Sequence, residues 1–123
     1  MLAQRDPYNA YQRVEFDARV QGASSSELVH ICYDQLILSL STAVLAQERN
    51  DLQLRSQSLT RALTALMALQ LGIDQGHGMA GALTDFYGGA RRSILASSLD
   101  FDADALRGMC ADFREVRTAL FAG

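Results

Sequence analysis

The stretch Ala23-Ser-Ser-Ser-Glu27-Leu-Val-His-Ile-Cys-Tyr33-Asp-Gln35 decides the fold. Ser24 and Glu27 stand in the S-x-x-E spacing of a capping box, in which each side chain accepts a hydrogen bond from the other residue's backbone N–H. A helix therefore opens here. At about 100° per residue, Leu28, Val29, Cys32, Tyr33, Leu36, Ile37, Leu40 and Val44 fall on one broad apolar arc. Ile31, Leu38 and Leu45 recur every seven residues almost opposite that arc, with Gln35 and Thr42 on one side and Asp34 and Ser41 on the other. A helix that only seals a core needs a single stripe. This one carries two, so something besides the core has to cover the second.

Working outward, the first helix is expected from about Ser26 to Gln47, ending near Arg49-Asn50. A second, from about Asp51 to Leu71, carries Leu52, Leu59, Leu63, Leu66, Leu69 and then Ile73 at helical spacing. Gly72 and the loop Asp74-Gln-Gly76-His-Gly78 stop it, because closely spaced glycines are hard to hold in a helix. A third, from about Met79 to Ser97, places Met79, Leu83, Phe86, Tyr87, Ala90 and Ile94 on one face. A fourth, from about Asp102 to Phe121, repeats Leu106, Met109, Phe113, Val116 and Leu120 in heptads. Its early Asp102 and Asp104 and late Arg114 and Arg117 suit the helix dipole. Helices of about 30 Å joined by short turns predict an all-α, antiparallel up-down-up-down four-helix bundle. Residues 24–123 form this single domain, and residues 1–23 form a short N-terminal helical or extended segment packed on it.

Composition narrows the function. A chain of 123 residues, 49% apolar, is long enough for one core without staples. Fourteen acidic groups against eleven basic ones give a net charge of −3, a poor endowment for neutralising phosphates. Every basic residue is arginine. Cys32 and Cys110 lie 78 residues apart with no CxxC, which fits a reducing cytosol. The N-terminus has no signal-peptide core, and no apolar run reaches the roughly 18–20 residues of a membrane span. We expect a soluble cytoplasmic protein without membrane insertion.

Nothing in the chain assembles a catalytic centre. His30 and His77 are the only histidines; Asp34 follows His30 at i+4, yet no third metal ligand continues the spacing. His30 reads as an exposed side chain hydrogen-bonded to Asp34, and His77 as a solvated loop residue. Gly76-x-Gly78-x-x-Gly81 copies the letters of a dinucleotide fingerprint but follows a helix rather than a strand. The carboxylates are scattered, with no pair in an apolar stretch. The expectation is a protein that is not an enzyme and uses no metal and no cofactor. Gly81 and Gly88, seven apart on the face of the third helix away from its stripe, either admit another backbone or mark a local kink.

Four motifs in register carry a family resemblance. Tyr8-x-x-Tyr11-Gln12, Ala23-Ser24-x-x-Glu27-Leu28, Tyr33-Asp34, and Leu83-x-x-x-Tyr87-x-x-x-x-Arg92-x-Ile94-Leu95, with the closing amphipathic helix, resemble the FliS family of flagellar export chaperones. The chain departs from that pattern at Ser25, Gln35 and Ser93, at Gly88-Gly89-Ala90, where the family has Asp-Tyr-Met, and at Leu120, near the usual terminal Trp. The resemblance implies a cytosolic bundle that binds the disordered C-terminal segment of flagellin, blocks premature polymerisation and helps delivery to the flagellar type III export gate. It marks Ser24, Glu27, Asp34 and Arg92 as signature or structural positions. Candidate client contacts are Tyr8, Tyr11, Ile31, Tyr33, Leu38, Leu45 and Tyr87.

The helix with apolar residues on opposite faces independently suits a groove for an amphipathic peptide, unless residues 1–23 cover Ile31, Leu38 and Leu45 permanently. Two other functions compete. A structural or adaptor bundle would homo-oligomerise through the exposed stripe, whereas the chaperone is expected as a monomer or weak homodimer. A nucleic-acid-binding regulator would use the third and fourth helices, but Asp100, Asp102 and Asp104 beside Arg91-Arg92 repel phosphate. No nucleic-acid partner is expected.

Overall fold

A computed structural model describes residues 25–76 and 78–121 of the chain. Among them the order is α1 (Ser25–Glu48), α2 (Leu52–Leu71), α3 (Ala80–Leu99) and α4 (Ala103–Phe121), and no residue is in a strand. The architecture is the expected all-α four-helix bundle. α1 packs on α2 and α4, and α2 on α3. The α3–α4 contact closes the ring and is the sparsest of the four. α1 and α3 face each other across the diagonal without a close backbone approach.

The turns explain why the helices stop. Asn50 takes a left-handed φ of 56°, and the Asp51 N–H bonds back to the Ala46 carbonyl at 2.9 Å while the Asn50 N–H reaches Gln47. That is a Schellman closure with Asn at the left-handed position. Asp51 then serves the next helix, its Oδ1 accepting the Leu54 N–H at 3.0 Å. Asp102 does the same for α4, accepting the Ala105 N–H at 3.0 Å. Each cap is worth about 1 kcal/mol.

The core is contributed by all four helices. Leu36 and Leu40 of α1, Leu66 of α2, Ile94 of α3, and Leu106 and Phe113 of α4 are completely buried. Each such side chain contributes about 1.5–3 kcal/mol relative to exposure. The expected stripes hold at Leu59, Leu66, Leu69, Tyr87, Ala90 and Met109, whereas Leu52 and Met79 at the helix starts are exposed.

One expectation needs correction. The stretch Ser26–Glu48 does have the length and mean hydropathy (1.5) of a membrane span, although half of that window is buried inside the bundle. Its apolar character comes from the two-faced pattern, with Asp34, Ser39, Ser41 and Thr42 interspersed. No other helix of the bundle packs closely on the α3 glycines among the described residues: a Cβ at Gly81 meets nothing within 4 Å, and one at Gly88 or Gly89 meets only the Arg92 guanidinium. Tyr8, Tyr11, Ser24, His77 and the proposed boundary between residues 23 and 24 lie outside the described residues.

Candidate functional site

The outer face of α1 is the open apolar surface that its sequence foretold. Leu38 is 49% and Leu45 41% exposed, one heptad apart on the side away from the core. Ile31, the third member of that series, is instead buried, yet it takes no part in the contiguous core. A seven-residue repeat drifts by about 20° per heptad on a straight helix, so Ile31 is turned about 40° from Leu45, away from the edge that meets α4.

That α4 edge is fixed by polar contacts. Arg117 binds Asp34, and Arg107 binds Glu48 at 3.1 Å. The Cys110 thiol lies 3.6 Å from the Ser41 hydroxyl. His30 stacks on Phe121 with ring centroids 3.6 Å apart, and Asp34, one turn on from His30, accepts a hydrogen bond from Arg117. The exposed ion pairs contribute little stability individually. Together they hold α1 in rotation, so that Leu38 and Leu45 point outward. Among the described residues no group of three metal-ligating side chains converges.

Tyr33 and Tyr87 are not on that surface. They are 0% and 2% exposed, and their hydroxyls are hydrogen-bonded at 2.8 Å. Phe113 packs edge-on to Tyr33 at 5.7 Å and parallel to Tyr87 at 6.2 Å, and Phe86 joins at 4.6 Å from Phe113. Burial, then the bond to Tyr87, pushes the Tyr33 phenol well above its ordinary range. Burial also raises Tyr87 and the Cys32 thiol. Both candidate client contacts are therefore buried in the free bundle. They join opposite helices, and Tyr87 also borders a cavity of about 340 Å³ lined by Val29, Leu69, Leu83 and Leu120.

The signature positions scatter. Glu27 is exposed at the start of α1, and Asp34 is half exposed in its ion pair. Arg92 is exposed on α3 with its guanidinium over Gly88 and Gly89. Sequence reading missed Arg117 as the partner of Asp34, because a pair 83 residues apart leaves no periodic signal. It also missed Arg55, which bonds Gln47 and lies over the Phe101 ring at 5.3 Å, pinning the α1–α2 and α3–α4 turns together.

Among the described residues, the bundle holds no cluster of metal-ligating side chains and exposes Leu38 and Leu45 on the outer face of α1. The model of the family described as Flagellar protein FliS matches residues 7–120, nearly the whole chain, and the chain belongs to that family of flagellar export chaperones. No curated protein sequence matches closely enough to add to this.

Proposed function

We propose that this chaperone binds the disordered C-terminal segment of newly made flagellin in the cytosol, prevents its premature polymerisation and presents it to the flagellar export gate. The observation that carries the reading is the pair of exposed leucines, Leu38 and Leu45, on a helix whose other face is already committed to the core. An amphipathic client helix laid along α1 places anchors at i, i+3/i+4 and i+7 against such a pair. Tyr8 and Tyr11, in the preceding segment, add aromatic contacts beside it. Ordering a disordered client costs free energy at the moment of binding, so the anchors have to be few and well buried.

Isothermal titration of the full chain with a peptide of the flagellin C-terminal segment tests this. Saturable one-to-one binding with a negative heat-capacity change, the mark of apolar burial, is expected. Absence of binding overturns it. The same leucines also support the second reading, a bundle that homo-oligomerises through α1. A mass that rises with concentration, and falls in Leu38→Glu, would select that reading over a monomer or weak homodimer that holds a client.

A further inference from the structure

We infer that the groove between α3 and α4 is a second docking site, for a basic amphipathic helix of another protein. It goes beyond the client reading, because it lies on α3 and α4, whereas Leu38 and Leu45 lie on α1. The α3–α4 pair is the loosest of the bundle, and a groove of about 440 Å³ opens between them. Its apolar lining is Phe86, Ala90 and Met109, and its carboxylates are Asp85, Asp104 and Asp112. Arg107 engages Asp104 at 3.0 Å. Asp85 and Asp112 have no ion pair among the described residues, and both are exposed. On α3 the Arg92 guanidinium lies over Gly88 and Gly89.

The glycines make the groove approachable. Gly89 and Gly108 line it from opposite helices. A Cβ at Gly108 would meet nothing within 4 Å, and one at Gly89 only the mobile end of Arg92. The bundle's own packing therefore does not call for glycine at either place, although glycine weakens a helix interior. Bare backbone on both walls admits an incoming helix closely. The stretch from Asp85 to Ser93 is about 12 Å long at 1.5 Å per residue, enough for two helical turns. Apolar anchors enter between Phe86 and Met109, and flanking Lys or Arg side chains meet Asp85 and Asp112. Charge complementarity of this kind sets partner choice and association rate.

The probe is a synthetic helix of about five turns, leucine on one face and lysine on the other, with a version carrying glutamate for lysine as control. Amide shifts of the full chain are followed during titration. The expected result is shifts centred on Gly89 and Gly108 with the lysine peptide, weakened by salt. Affinity falls about tenfold in Asp85→Asn/Asp112→Asn, and by at least as much in Gly108→Leu. The latter plugs the groove while removing a helix-weakening glycine, so a folded variant that no longer binds is expected; if it does not fold, the Asn pair decides. Leu38→Glu leaves this binding within about twofold, which separates it from the client site. Equal binding of the glutamate peptide, or shifts centred on Leu38 and Leu45, would overturn the proposal. So would self-association lost in Gly108→Leu, or contacts of Arg5, Arg13 or Arg19 with the groove in the free protein.

Discussion

The hydroxyls of Tyr33 and Tyr87 meet at 2.8 Å across the diagonal of the bundle, joining α1 to α3, two helices whose backbones do not otherwise approach. Each phenol satisfies the other's buried polar group. Replacing one alone strands its partner, so Tyr33→Phe and Tyr87→Phe are each expected to cost about 1–3 kcal/mol. The double Phe variant should lose much less than the sum of the two. Urea unfolding of the three variants measures this, and strict additivity would mean that the hydrogen bond contributes no coupling.

The same pair sets an alkaline limit. Burial raises both tyrosines above the ordinary value of 10.0, and the mutual bond raises Tyr33 further. A folded-state pKa above the unfolded one means that the folded protein keeps its proton where the unfolded chain has lost it. The contribution is therefore complete below about pH 10 and is lost as pH climbs towards the folded value. Cys32, raised from 9.0 by burial, acts in the same direction from slightly lower pH. Stability measured from about pH 8 to 11 should fall steeply in the native chain and less in the double Phe variant.

Helix starts and stops were legible because their signals are local: Asp51 and Asp102 cap the helices they precede, and Asn50 closes the one before it. The bundle followed from apolar spacing that repeats along each segment. What the sequence did not reveal was the partner of each face. Tyr33 and Tyr87 sit on apolar stripes, as clients' contacts and core residues both do, and only the assembled diagonal shows them bonded to each other. Ile31 shares a heptad with Leu38 and Leu45, yet it is buried where they are open. The Asp34–Arg117 and Arg55–Phe101 contacts join distant segments and leave no period at all.

The outer face of α1 is expected to separate binding from folding. Leu38→Glu and Leu45→Glu put a charge on side chains that are 49% and 41% exposed, so stability should change by no more than about 0.5 kcal/mol. Affinity for the flagellin peptide should fall by about tenfold or more, as for a central anchor. Calorimetric titration and thermal melts on the same variants read the two effects. A large loss of stability with unchanged binding would make this face structural only.

Gly88 and Gly89 lie in the interior of α3, with room for a Cβ at each. Substituting alanine removes a propensity penalty of about 0.8–1 kcal/mol per residue. Gly88→Ala/Gly89→Ala is therefore expected to raise stability by about 1–2 kcal/mol, with an unchanged urea m-value. A destabilised variant would show that α3 needs glycine for a contact beyond those described.

The last prediction concerns Tyr8 and Tyr11, which are three apart and share a face if their segment turns helically. A tyrosine ring suits a site that is apolar on one side and wet on the other. Leu38 and Leu45 provide such a surface on α1. Among the described residues the core spans Val29 to Leu120, and removing residues 1–20 is expected to leave the bundle folded by circular dichroism. Affinity for the flagellin peptide should nonetheless weaken in that truncation, and also in full-length Tyr8→Ala/Tyr11→Ala, because buried aromatic anchors dominate interface energy. Tighter binding in both would instead make the segment a lid that competes with the client for α1. Unchanged affinity in both would remove it from the mechanism and leave Leu38 and Leu45 to hold the client alone.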